Sequence, residues 1–181
     1  YDEFVATLKG YEDKMNITVA EPLLGEVGTD STALNSDKQA VAEAITAASV
    51  KDAGYDSLDA AASAKVAFVF MGHGTSHTAN VTYDQMQTQM ETLGYRNVFI
   101  GTVEGKPADT ASEAVIEKAH EAGYTTVVLR PLMVVAGDHA NNDMAGDDAE
   151  SWKSQFEASG YFSKVESQIT GLGEIPSIQA I

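Results

Sequence analysis

Three of the four histidines of this 181-residue chain stand in turns rich in glycine. His73 lies in Met71-Gly-His-Gly-Thr-Ser-His77, and His139 in Gly137-Asp-His-Ala140. A carboxylate, Glu104, occupies a similar turn, Gly101-Thr-Val-Glu-Gly105. Glycine lets a backbone bend tightly and approach a ligand closely. Neutral imidazoles with one carboxylate suit a borderline divalent ion such as zinc, cobalt, nickel or iron, whereas magnesium and calcium prefer oxygen alone. Two imidazoles and one carboxylate also leave coordination positions open, as a catalytic or transfer site requires and a closed structural site does not. Taken singly, a histidine in a glycine-rich loop is as readily a hydrogen-bonding turn residue. The three matching residues His73, Glu104 and His139 together point to a metal. His77 reads either as an alternate ligand or supporting partner, or as polar surface. His120 falls near a helix C-terminus, where the macrodipole favours an imidazolium.

Other chemistries lack their residues. Gly72-His-Gly-Thr75 is followed by no P-loop lysine and is no G-x-G-x-x-G. Gly74-Thr-Ser76 does not form a nucleophile elbow. Asp138, Asp143, Asp147, Asp148 and Glu150 read as solvated residues or helix N-terminal charges, with Asp138 or Asp143 able to orient His139. The absence of cysteine removes disulfide scaffolds, zinc–thiolate sites, iron–sulfur clusters and thiol nucleophiles.

The elements that must position these turns are regular from residue 65 onward. Lys65–Met71, Asn97–Ile100 and Thr125–Leu129 are short apolar runs that read as buried parallel strands, with a weaker strand at Lys164–Glu166. Helices are expected at Thr82–Leu93, at Asp109–Ala122 with Asp109 or Thr110 as N-cap, and at Ala145–Ser159, ending at Gly94, Gly123 and Gly160. The order β-α-β-α-β-α-β predicts an α/β fold, a parallel sheet with right-handed crossovers and helices on both faces. In such sheets ligands bind beyond the carboxyl ends of the strands, where the three candidate residues fall. Residues 1–64 are less complete. Tyr1–Met15 is amphipathic, Ile17–Ala20 is a candidate strand, Asp37–Ala48 a helix, and Ser49–Ala64 a surface connection. This predicts a metal-binding α/β unit over 65–181 behind a less complete stretch over 1–64.

Eleven bases against 27 acids give a net charge of −16. The excess is spread evenly, with 4 bases and 12 acids in residues 1–64 and 7 and 15 in residues 65–181. Such a surface argues against nucleic acid and against an anionic membrane as partners. No apolar run approaches the roughly 20 residues that span a bilayer. The expected compartment is the cytoplasm, with export open because the N-terminus shows no initiator Met. A homo-oligomer is compatible with the sequence.

Met71-Gly-His-Gly-Thr75, Gly101-Thr-Val-Glu-Gly105, Pro131-Leu-Met-Val-Val-Ala-Gly-Asp-His-Ala140 and Asn142-Asp-Met-Ala-Gly-Asp-Asp148 resemble the motifs of the anaerobic sirohydrochlorin cobaltochelatases. Glu21-Pro-Leu-Leu-Gly25 resembles a family segment upstream of them. These are class II chelatases, independent of ATP and related in fold to protoporphyrin ferrochelatase. The resemblance implies two similar lobes around a tetrapyrrole, residues 65–181 forming the C-terminal metal-binding lobe and 1–64 the remnant of the N-terminal one and a connection. It also implies His73, Glu104 and His139 binding the divalent ion that is a substrate, cobalt first, then iron or nickel. The histidines would also accept pyrrole protons. A rival is a metal or tetrapyrrole carrier without turnover. A polycarboxylate substrate needs cationic contacts, and among Lys65, Arg96, Lys106 and Arg130 the last ends a strand and is the expected contact.

Overall fold

The computed structural model describes residues 2–180. Its centre is a four-stranded, all-parallel sheet in the order β2-β1-β3-β4, with β1 at Val66–Gly72, β2 at Val98–Thr102, β3 at Thr126–Pro131 and β4 at Lys164–Ser167. Alternation along β1 explains the two cores. Phe68 and Phe70 face one side, and Ala67, Val69 and Met71 the other, all fully buried. The first set packs with Val41, Ala42 and Ile45 of α2 (Ser36–Asp52) and Met86 and Met90 of α4 (Val81–Thr92). The second packs with Val115, Ile116 and Ala119 of α5 (Ser112–Glu121) and Trp152 and Phe156 of α6 (Trp152–Ala158). A strand covered on both faces must be apolar throughout, which is why these runs do not alternate.

Strand order places the cleft. From β1 the chain crosses through α4 to β2 on one side, then returns through α5 to β3 on the other side of β1. The connections from β1 and β3 therefore diverge, and the crevice where ligands bind lies between their carboxyl ends. The register aligns those ends: Gly72 pairs with Thr102, and Met71 with both Gly101 and Pro131.

Several local expectations change. Residues 16–20 are irregular, since Ile17–Ala20 has no ladder partner and β-branched composition alone does not make a strand. Within Tyr1–Met15 the helix is α1, Asp2–Leu8, followed by a 3-10 turn at Lys9–Tyr11, while Tyr1 lies outside the described residues. Its apolar residues find little to cover, and Phe4 and Tyr11 stay exposed. The stretch Ser49–Ala64 is no mere connection: α2 runs on to Asp52, and α3 (Leu58–Ser63) follows, capped by Ser57 and burying Ala61. Helix α5 starts at Ser112, not Asp109, because Thr110 donates its hydroxyl to the Pro107 carbonyl within a 3-10 turn. The segment Ala145–Ser159 is helical only from Trp152, with Ser151 as cap. A π-helical segment, His139–Met144, precedes it. Among the described residues no helix is long and apolar enough to cross a membrane.

Candidate functional site

The ladder between β1 and β2 continues past the last paired residues. Val103 donates its N–H to the Gly72 carbonyl and Glu104 to the His73 carbonyl, both at 2.9 Å. This clips the Glu104 turn against the His73 turn. Gly74 sits at the join with φ +88°, and a Cβ there would lie 2.8 Å from the Glu104 Cβ and 3.0 Å from that of Thr102. Only glycine meets both the positive φ and the close approach. The Glu104 turn is fastened from below, where the Thr102 and Thr110 hydroxyls meet at 2.6 Å and Thr102 accepts the Lys106 N–H at 3.0 Å.

His139, from the turn after β3, reaches the same place. Its ring lies 4.6 Å from that of His73, centroid to centroid, with the planes 77° apart. Each ring is oriented through Nδ1. His73 Nδ1 is 2.8 Å from the Gly74 carbonyl, and His139 Nδ1 is 2.5 Å from Asp143 Oδ2, one π-helical turn later. A carbonyl oxygen and an ionised carboxylate only accept, so these contacts assign the proton to Nδ1 in both rings. When neutral, each ring therefore carries a lone pair on Nε2, the arrangement by which a histidine ligand is held through its other nitrogen. Both imidazoles retain access to solvent. Asp143, and not Asp138, is the orienting carboxylate. Asp138 instead accepts from the Asn142 amide at 2.6 Å.

The structure thus brings together His73 and His139 and holds Glu104 beside them through the backbone. Among the described residues, no three His, Asp or Glu side chains converge closely enough to hold an ion. His77 is exposed, and its Nδ1 accepts the Ala79 N–H at 3.1 Å, capping a 3-10 turn. The proton of its neutral ring is thereby placed on Nε2, the opposite tautomer to that of His73. His120 stacks on Tyr161 with centroids 3.8 Å apart, at the end of α5.

Arg130, the expected substrate contact, is instead engaged inside the fold. Its side chain is 1% exposed and points with Val128 into the α2 side of the sheet. There Nη1 donates to Asp52 Oδ2 at 2.7 Å and to Gln168 Oε1 at 3.0 Å. The cause is register: Arg130 pairs with Phe70 inside the ladder, where both faces are covered.

Sequence reasoning missed the second wall of the site. A cavity of about 420 Å³ opens beside the His73 turn, lined by Pro22, Leu24, Thr75, Tyr83, Leu132 and Val134 among others. Its far wall, the segment after Glu21, has no regular structure of its own. It is pinned by buried side chains: Lys38 Nζ donates to the carbonyls of Leu24 at 3.0 Å and Glu26 at 2.6 Å, and Gln85 donates to Val27 and Asp30. Burial pushes the Lys38 ammonium below the ordinary lysine range, opposed in part by Asp37. Lys38 stands three residues past the N-cap Asn35, and nothing in the sequence pattern marks it as this anchor.

Comparison with known proteins identifies the family. The family model described as "Cobalt chelatase (CbiK)" matches residues 1–181. A sirohydrochlorin cobaltochelatase of Salmonella typhimurium is 42% identical over 113 residues, covering 62% of this chain and 40% of that protein. The sirohydrochlorin cobaltochelatase CbiKC of Nitratidesulfovibrio vulgaris is 42% identical over 94 residues, 52% of this chain and 32% of that protein. The chain therefore spans well under half the length of these relatives where it matches them. With its whole length matched by the family model, the chain belongs to the CbiK family of cobalt chelatases.

Proposed function

We propose that this chain carries the metal-handling part of a chelatase that inserts a divalent ion, cobalt first, into sirohydrochlorin during cobalamin synthesis, without ATP. One observation supports it most: two imidazoles from adjacent strand ends lie 4.6 Å apart, each with Nδ1 committed and Nε2 left as a lone pair. Insertion exchanges two pyrrole N–H protons for one divalent cation. The atoms and charge balance when the metal forms its bonds to the ring nitrogens and two protons leave. A neutral imidazole can hold the ion or take a proton through the same nitrogen lone pair. His73 and His139 perform these steps, and Glu104, exposed at the neighbouring turn, adds negative charge that favours the cation and passes protons to water. The remaining contribution is positioning and partial removal of water from the ion.

The test is His73→Ala and His139→Ala in the full chain, with cobalt insertion followed by the absorbance change of metal-free sirohydrochlorin. Each variant is expected to lose on the order of 100-fold in rate, the scale of a positioned proton acceptor. Wild-type rates in both would refute the proposal. A wild-type protein that binds Co(II) and never converts the tetrapyrrole would instead be a carrier.

A further inference from the structure

His73 sits at the end of a relay that begins on α4. Tyr83, in the first turn of that helix, extends under the His73 turn and touches it on both sides. On the near side its ring occupies the space that a Cβ on Gly72 would need. On the far side its hydroxyl oxygen accepts the Gly74 N–H at 3.0 Å. The Gly74 carbonyl in turn accepts from His73 Nδ1 at 2.8 Å. The links run from Tyr83 Oη to the Gly74 backbone and from there to the imidazole. Thr102 and Glu104 occupy the space that a Cβ on Gly74 would need, so the Gly74 backbone packs directly against them while its N–H is held by Tyr83. A carbonyl held at that angle accepts from Nδ1, and the lone pair is thereby kept on Nε2.

We propose that Tyr83 is a positioning residue for His73, acting through Gly74 to hold the imidazole in its Nδ1–H tautomer with Nε2 facing the incoming metal ion. The proposal rests on the reading that His73 takes the ion. A simpler role, filling space beneath Gly72, requires only the ring. The hydroxyl distinguishes the two, because Tyr83→Phe keeps the ring and removes the acceptor. Tyr83 neither touches the metal nor transfers a proton, so its effect passes entirely through His73.

The experiment uses the full chain and four forms: wild type, Tyr83→Phe, His73→Ala and the double variant. Calorimetric titration with Co(II) alone reads affinity, and ¹⁵N spectra of the metal-free protein read the His73 tautomer. The expected result for Tyr83→Phe is an approximately fivefold weaker Co(II) affinity, the scale of one hydrogen bond. The His73 spectrum should shift from a single Nδ1–H tautomer toward a mixture. In the His73→Ala background the same change should cost nothing further, since a residue that acts through another is non-additive with it. An additive loss in the double variant, or an unchanged tautomer and affinity in Tyr83→Phe, overturns the proposal. If His73→Ala leaves Co(II) affinity undiminished, the reading of His73 as a ligand fails instead, and the metal-free spectra still decide the positioning.

Discussion

Arg130 provides a sharp separation between a structural and a substrate-binding role. Its guanidinium is buried and bonded to Asp52 and Gln168, while the Asp52 side chain is 47% exposed. Losing the acid strands a buried charge, for which about 3–5 kcal/mol is typical in a fully buried pair. Water around Asp52 screens part of this, so Asp52→Ala is expected to cost about 2 kcal/mol. Arg130→Ala removes the charge and also empties a large packed volume, at about 3 kcal/mol. Arg130→Met fills most of that volume and leaves Asp52 free to hydrate. Gln168 keeps its bonds to Ser49, so the cost should be within about 1 kcal/mol of zero. At roughly 2–4 °C per kcal/mol for a chain of this size, Arg130→Ala should melt some 6–12 °C below wild type and Arg130→Met close to it. Thermal melts and urea titrations give the order Met, then Asp52→Ala, then Arg130→Ala, with KM for the tetrapyrrole unchanged in Arg130→Met. The reasoning is refuted if Arg130→Met raises KM tenfold at an unchanged melting temperature, because that is the signature of a carboxylate contact.

Two other outcomes follow from single contacts. Asp143→Asn keeps the volume beside His139 but removes the charge that fixes its Nδ1–H. Co(II) affinity, measured by titration calorimetry, should fall about ten- to hundredfold, with little change in the urea midpoint. Lys38→Met should change how stability depends on pH. Burial lowers the folded pKa of Lys38, so between that value and the unfolded one the unfolded chain binds more protons, and the contribution of Lys38 to stability rises with pH across that window. Wild type should therefore gain on Lys38→Met as urea unfolding is repeated at increasing pH toward the ordinary lysine range, and a flat difference would contradict the assignment.

The sheet could be read from sequence because its strands are buried on both faces. Val66–Gly72 has seven buried residues in succession, and no surface strand or amphipathic helix has that pattern. Elements whose existence depends on a partner were read less well. Ile17–Ala20 has the composition of a strand but pairs with neither edge of the sheet. Leu58–Ser63 is mostly alanine and serine and lacks the large apolar stripe of a helix, yet it forms one because Ser57 caps it and β1 offers a surface for Ala61. The start of α5 was misplaced because capping depends on where a side chain is already engaged. The Thr110 hydroxyl is held by Pro107 and Thr102, and so cannot cap the helix.

At the site, residue types were visible in the sequence and orientations were not. The placement of His73, Glu104 and His139 after strand ends follows from patterns of a few residues. The tautomers depend on Asp143, named from sequence only as an alternative to Asp138, and on Gly74 O, and the cavity wall depends on Lys38, Asn35 and Gln85; apart from Asp143, none of these announces itself in a one-dimensional pattern. Arg130 and His139 show the rule that separates them. A residue within the ladder of a sheet covered on both faces is buried whichever way it points, so a charge there must find an internal partner. Only a residue past the last rung can reach the crevice. Met71 and Pro131 form that rung on the β1–β3 side, one residue after Arg130 and well before His139. The same rule sharpens the meaning of the −16 charge. One of only 11 bases is spent inside the fold on Asp52, and the histidine pair is flanked by Glu104, Asp138 and Asp143. Under the proposed function, this surface would draw a divalent cation toward Nε2 of both rings and oppose a polycarboxylate at long range. Recognition of such a macrocycle would, under that same function, fall to close-range contacts, apolar walls such as the cavity beside His73 and neutral N–H and O–H donors, whose strength salt screens far less than it screens an ion pair.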